Sequence, residues 1–291
     1  MERRHLIYFL AVAEAGTISA AARDLGLSQP TVSQAIADLE SSLGMPLFTR
    51  AHGMTLTSAG RAFEAPARRA LRALDAARWS VEEIKGLYSG ELDIGCVTNT
   101  AVVPVSELIA TYARKAPAIN VRVHGMNSGN PDFEALRHGA IEFLFAENTT
   151  PPRGVERIEI KPHAMAVVLP PGTDIPERPM RLDELGRYSW IASPYPPSVA
   201  RGTLSVLLAD AGLPDVQPTI ELAYRQAVVP LVLAGVGVAV MSVPEARIAQ
   251  RAGAVYRTLE QEFATAHACY WTSENLSPAG RMFLSICRDA L

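Results

Sequence analysis

The chain has little lysine: Lys85, Lys115 and Lys161 are the only three in 291 residues, and arginine carries nearly all of its basic charge. Nor is there an excess of either sign, because the net charge is −3, and this excludes a general electrostatic draw toward nucleic acid. The local balance differs little: residues 1–57 hold four Arg against five acids, and residues 58–86 hold five Arg and one Lys against four. Cysteine is scarce: Cys96, Cys269 and Cys287 are odd in number and not closely spaced. That excludes a disulfide framework and predicts reduced thiols in a cytoplasmic protein. Cys96, beside Leu92 and Ile94, reads as a small core residue on a buried strand. The six histidines, at 5, 52, 124, 138, 163 and 267, have no metal-ligand spacing with Cys or an acid, so no metal is expected. There is no Walker loop and no nucleophile elbow. Gly235 and Gly237 make half a dinucleotide fingerprint, but between a helix and a strand, in the wrong order. With no nucleophile–base pair, no catalytic residue and no cofactor are expected. Residues 227–244 are free of charge for 18 residues, at the threshold for a membrane span. Pro230, Gly235 and Gly237 divide it into a short helix and a strand, so no membrane association is expected. The first apolar helix contains Glu14 and lacks a cleavage-like site, so no secretory signal is expected.

What is present is concentrated in residues 17–43, TISAAARDLGLSQPTVSQAIADLESSL. A short helix over 18–25 stops at Gly26, and a second runs from after Ser28 to about Leu43. Two helices joined by a tight Gly-containing turn form a helix-turn-helix, whose second helix can enter the DNA major groove. Ser28 is suited to cap that helix, and Pro30 falls in its first turn, where a missing N–H costs little. Val32, Ile36, Leu39 and Leu43 recur at helical spacing and are expected to face the core. Ala20, Ala21 and Ala22 keep the first helix slim. The other face carries Gln29, Thr31, Ser33 and Gln34, short uncharged hydrogen-bonders. Gln can pair bidentately with adenine, and Ser or Thr can serve several base edges. The plainer reading is a three-helix core whose outer face is merely polar.

Residues 6–60 resemble the N-terminal domain of LysR-type transcriptional regulators. The likeness rests on Leu6, Phe9, Val12, Ala13, Gly16, Ala21, Ala22, Leu25, Ser28, Gln29, Pro30, Val32, Ser33, Ile36, Leu39, Glu40, Leu43 and Gly44. Leu47, Phe48, Arg50, Leu56, Thr57, Ala59 and Gly60 complete it, and it extends more weakly to the C-terminus. The resemblance implies that Gln29, Thr31, Ser33 and Gln34 read bases in double-stranded promoter DNA, while Ser28, Pro30 and Arg50 orient helix and backbone. Two departures stand out. Many members carry a basic residue where Gln34 stands. Their wings are often one residue longer, with an Arg for the minor groove. Here Ala51, His52 and Gly53 provide none, leaving Arg50 or His52 to substitute. Peroxide-sensing members use cysteines in the second regulatory subdomain; this chain has none between Cys96 and Cys269, which argues against that role.

The expected architecture is α/β with an all-α-rich head. A winged helix-turn-helix over 1–58 has its wing at Leu47, Phe48 and residues 54–56. A linker helix over 59–88 carries the apolar stripe Phe63, Ala67, Ala70, Leu74, Ala77, Val81 and Ile84, which predicts a homodimer or homotetramer. From residue 91 strands and helices alternate: strand 92–97, helix 103–114, strand 120–126, helix 131–138, strand 141–145. The resemblance implies that 91–291 is a bilobed, periplasmic-binding-protein-like effector domain, with lobe I at 91–162 and 267–291 and lobe II at 163–266.

In such lobes ligands bind beyond the carboxyl ends of strands, near helix N-termini. Thr98, Asn99 and Thr100 follow the first strand, and Ser128 and Gly129 the second. Ser193, Tyr195 and Ser198 lie in a Pro-rich loop ahead of a helix over 199–211. Arg225 precedes the buried run at Val228. Hydroxyls and N–H groups converging on one cleft suit a small anionic effector, with Arg225 or Arg201 as counter-charge. Each hydroxyl could instead simply cap its helix, and Arg201 could be a solvated helix residue. A periplasmic-type solute-binding protein is the rival from another class. It would need export, and it would not need residues 1–60.

Overall fold

A computed structural model describes the 291-residue chain except residues 50–52, 85–89, 127–130, 193–198, 216, 223 and 263, and side chains 76, 78–84, 199–201 and 203. The head is three helices, α1 (Arg3–Ala15), α2 (Ile18–Asp24) and α3 (Gln29–Leu43), and a wing of β1 (Phe48–Thr49) against antiparallel β2 (Thr55–Leu56). Each boundary has a local cause. Thr17 caps α2 by accepting the Ala20 N–H at 3.2 Å, and Ser28 caps α3 by accepting that of Thr31 at 3.4 Å. Between them Gly26 turns the chain at φ +66°, a conformation that side chains with a Cβ resist.

Val32, Ile36 and Leu39 are fully buried, each contributing about 1.5–3 kcal/mol by leaving water. Leu43 departs from its expected place: it is 39% exposed. Helix α3 makes its last core contact at Leu39 and runs one turn past it. Glu40, the next residue, instead accepts the backbone N–H groups of Leu47 (2.7 Å) and Phe48 (3.1 Å), fixing the root of the wing. Phe9 of α1 meets Phe48 in a tilted contact at 5.3 Å and Phe63 edge to face at 5.1 Å, so one ring joins helix, wing and the helix that follows.

That helix, α4 (Ser58–Ile84), is 27 residues long and passes through Pro66 without ending. Pro66 removes one backbone donor, but Phe63, Ala67, Ala70 and Leu71 pack on the head and hold the helix on both sides of it. Of the expected stripe, Phe63, Ala67 and Ala70 are occupied by the head, while Leu74 is 45% exposed; the side chains of Val81 and Ile84 lie outside the described residues.

Strand β3 (Gly90–Val97) opens the α/β region, followed by α5 (Thr98–Thr100), α6 (Ser106–Lys115), β4 (Ile119–Met126), α7 (Phe133–Arg137), β5 (Phe143–Glu147) and β6 (Glu156–Leu169). Then come β7 (Trp190–Ala192), α8 (Val199–Asp210), β8 (Pro218–Glu221), α9 (Val228–Leu233), β9 (Ala239–Ser242), α10 (Val243–Arg251), β10 (Val255–Thr258), β11 (Ala264–Trp271) and α11 (Pro278–Ala290). Two helices begin later than the sequence pattern predicts. Val103 has extended φ/ψ ahead of Pro104, so regular helix starts at Ser106. The Asp132 side chain caps α7 by accepting the N–H groups of Glu134 and Ala135, so that helix is confined to five residues.

The strand order is β10-β6-β11-β5-β3-β4, with β9 also on β6; β3 runs parallel to β4 and β5. The long strand β6 serves both lobes. Residues 156–164 pair with β11, and residues 165–169 pair with β9 and β10. Strands β6 and β11 are thus the two chains that cross between lobes. Separate cores lie on either side: Tyr112, Phe143, Phe145 and Phe283 in the first lobe, Met165, Val167, Trp190 and Leu204 in the second. Among the described residues no single helix is long and apolar enough to cross a membrane.

Candidate DNA-binding face and inter-lobe cleft

Helix α3 buries one side in the head and presents the other. Gln29, Pro30, Thr31 and Gln34 are exposed and Ser33 half-buried. Their mutual bonds are specific. The Ser28 and Thr31 hydroxyls meet at 2.7 Å. Ser19 Oγ of α2 donates to Gln29 Oε1 at 3.1 Å, so the two helices together set the direction of that amide. Gln34 Nε2 donates to Asp38 Oδ1 at 2.8 Å, a pairing of residues one turn apart. Arg50 and His52, expected at the wing, lie outside the described residues.

The crossing strands build the floor of the cleft between lobes. A cavity of about 20 Å³ is lined by Asn99, Thr100, Lys161, His163, Glu245 and His267 among others; this is room for little more than one water. The register places His163 opposite Thr265 and Ile160 opposite His267, which brings both imidazoles to one end of the strand pair. Burial pushes the His267 pKa down, against the opposing pull of Glu147, so this ring is neutral near pH 7 and acts as a hydrogen-bonding group. Lys161, His163 and His267 are not among the effector residues expected from the sequence. Alternation along a strand, read from where two strands cross lobes, is the signal that could have found them.

Of the expected effector residues, Asn99 and Thr100 line this cleft. Thr100 is buried, and its hydroxyl donates to the carbonyls of Val97 (2.9 Å) and Phe145 (3.2 Å), so it closes a turn. Thr98 is exposed at the start of α5. Arg225 sits at the cleft margin with its guanidinium engaged: Nη2 donates to Glu245 Oε1 at 3.1 Å. The other oxygen of Glu245 accepts from Ser242 N (3.0 Å) and Oγ (2.8 Å) at the start of α10. A counter-charge already matched by a carboxylate is a weaker partner for a ligand anion. Ser128, Gly129, Ser193, Tyr195, Ser198 and the Arg201 side chain lie outside the described residues.

A larger cavity, about 540 Å³, separates α1 and α4 from the lower edge of the first lobe. Ion pairs lie within each wall: Arg3–Asp75 at 3.2 Å between α1 and α4, and Arg122–Glu91 and Arg122–Asp93 at 2.8 Å between β4 and β3. At its inner end Glu142 is buried, accepting from Ser277 N (2.6 Å) and Oγ (3.0 Å) at the head of α11. Burial pushes its pKa up to about 7, against the hydrogen bonds from Ser277 and the nearby Arg72. This space is a seam between packed bodies, walled by groups already paired to each other.

The comparisons fit this division. The model for bacterial regulatory helix-turn-helix proteins of the lysR family matches residues 3–61, and that for the LysR substrate binding domain matches residues 85–291. Over 289 residues, 97% of this chain and 96% of the other, the sequence is 27% identical to the uncharacterized HTH-type transcriptional regulator YnfL of Escherichia coli strain K12. It is 38% identical over 146 residues to the HTH-type transcriptional regulator ClcR of Pseudomonas putida, covering 50% of this chain and 49% of that one. Full-length CbnR complexed with its target DNA aligns over 100% of both chains at TM-score 0.65 and 24% identity. Full-length BenM aligns over 99% of this chain and 96% of its own at TM-score 0.57 and 22% identity. At these identities the structural likeness speaks for the fold alone.

Proposed function

The chain belongs to the LysR family of DNA-binding transcriptional regulators, and from that premise we propose how its two ends divide the work. It is a regulator and not an enzyme. The head reads an operator through Gln29, Thr31, Ser33 and Gln34, while Ser28, Pro30 and Arg50 orient the helix and backbone and His52 or Arg50 takes the place of the wing arginine. The observation that carries this reading is the exposed row on α3 opposite Val32, Ile36 and Leu39. Polar groups there are held by Ser19 and Asp38 rather than packed against a neighbour. Binding is tested by footprinting the purified protein on duplex DNA. Protection of paired half-sites is expected, and only salt-sensitive, sequence-blind binding would overturn it.

The regulatory half binds a small anionic molecule in the inter-lobe cleft. Lys161 supports the anion reading, because Glu245 is the one acid among the described lining residues and is matched by Arg225. His163, His267 and Asn99 supply hydrogen bonds, and Thr98, Ser128, Gly129, Ser193, Tyr195, Ser198 and Arg201 belong to the rim and neighbouring loops. The narrowness of the cavity means that binding must part the lobes. The effector then acts as a population shift, which requires different affinities for two lobe arrangements. A thermal-shift screen with small mono- and dicarboxylates tests this: stabilisation that is lost in Lys161→Ala supports it, and stabilisation only by neutral or cationic compounds contradicts it. The exposed Leu74 of α4 supports pairing of two chains along that helix, as a homodimer or a tetramer built from it, in the cytoplasm.

A further inference from the structure

The face of α3 opposite the core has one long side chain at its centre. With 3.6 residues per turn, Pro30, Gln34, Ala37 and Ser41 fall on one line along that face, and all four are exposed. Pro30, Ala37 and Ser41 are short, so Gln34 is the group in this line that reaches farthest from the helix. Its amide has a donor end and an acceptor end, and which end faces outward decides what it can read. Asp38 settles that choice. A carboxylate only accepts, so the 2.8 Å contact between Gln34 and Asp38 Oδ1 must be made by Nε2. One of the two Nε2 hydrogens is thereby committed to Asp38, one turn toward the C-terminal end of the helix, and Oε1 takes the side of the planar amide away from that carboxylate.

We infer that Asp38 is a specificity-determining residue: it poises Gln34 as a hydrogen-bond acceptor, so that this position selects a base bearing an exocyclic amino group in the major groove, cytosine or adenine, and disfavours guanine. This rests on the reading of α3 as the operator-reading helix. The chemistry follows from the groove. Cytosine offers N4–H₂ and adenine N6–H₂, whereas guanine offers only the acceptors N7 and O6. Facing guanine, Gln34 Oε1 would set oxygen against oxygen, and the Asp38 carboxylate one turn on would add a negative charge. An i, i+4 Gln–Asp bond on an exposed helix is individually weak. It governs specificity because it biases one amide between two orientations of otherwise similar energy.

The test uses the full-length protein in selection from a random duplex library, with Asp38→Ala, Gln34→Glu and Gln34→Ala alongside. Glutamate keeps the acceptor and loses the donor; every substitution is at an exposed site. The wild type is expected to select cytosine or adenine at one position of each half-site. Gln34→Glu retains that preference, Gln34→Ala loses it, and Asp38→Ala relaxes it there and nowhere else. Removing the exocyclic amino group of the selected base is expected to weaken binding by roughly 5- to 100-fold, the range for one good base contact, while a 7-deaza purine in place of a selected adenine leaves it unchanged. Guanine at the Gln34-dependent position, loss of preference in Gln34→Glu, or an unchanged profile in Asp38→Ala would overturn the inference. A library with no enriched sequence at all would overturn the reading of α3 on which it rests; enriched half-sites with no position dependent on Gln34 would overturn this inference alone.

Discussion

The Arg72 guanidinium reaches out of α4 and donates to the carbonyl of Gly139 at 2.7 Å, a bond between residues 67 apart in the chain. Gly139 has φ +69°, and a Cβ there would lie 1.9 Å from Arg72 Nη2. The linker helix is thereby pinned to the first lobe at a point where only glycine leaves room. Gly139→Ala is expected to destabilise by about 1–3 kcal/mol through backbone strain and displacement of Arg72. Denaturant unfolding checks it. If the double variant costs as much as the sum of Gly139→Ala and Arg72→Ala, the two residues are not coupled and the pin is wrong.

Glu142 makes stability pH-dependent. Its carboxyl lies above its ordinary value of 4.5, at about 7, chiefly because it is buried. The folded state therefore holds a proton that the unfolded state has released in this range, and stability falls as pH rises from about 4.5, with the loss complete above about 7. Glu142→Gln should flatten this slope and be more stable than wild type at pH 8 by an amount of order 1–3 kcal/mol. Parallel melting curves of the two proteins from pH 5 to pH 8 would refute it.

Phe9 links α1, the wing and α4. Truncation to Ala leaves a cavity at the junction of three elements and should cost about 3–5 kcal/mol. DNA binding would weaken with it, because Phe48 at the wing root loses its ring partner. A variant with unchanged unfolding midpoint would show that the wing and α4 are held by other contacts.

Among the described residues, Leu74 is the large apolar side chain of α4 that the head leaves uncovered. Leu74→Glu is expected to shift the protein toward monomer in sedimentation velocity with its melting temperature changed by little. An unaltered mass distribution would place self-association elsewhere.

The head was legible because its signals are local. Thr17, Gly26 and Ser28 cap or turn helices through bonds spanning a few residues, and Val32, Ile36 and Leu39 recur at the helical period. Leu43 obeys the same period but lies beyond the packing partner, and burial at a helix end depends on what stands opposite. The cleft is the reverse case. His163 and His267 are 104 positions apart (267 less 163), and only the antiparallel register of β6 with β11 brings them to one wall. Arg225 was recognisable as a cation near a cleft. Its engagement with Glu245, twenty residues on, follows from where α10 begins, which its own neighbourhood in sequence does not reveal.

The central claim is that α3 reads sequence, and footprinting the purified protein on the DNA flanking its own gene, with Gln29→Ala alongside, tests it most directly. Protected paired half-sites are expected, with specific affinity in the variant weaker by about 1–3 kcal/mol, the range for a single base contact. The same preference among operator sequences in wild type and Gln29→Ala would contradict it.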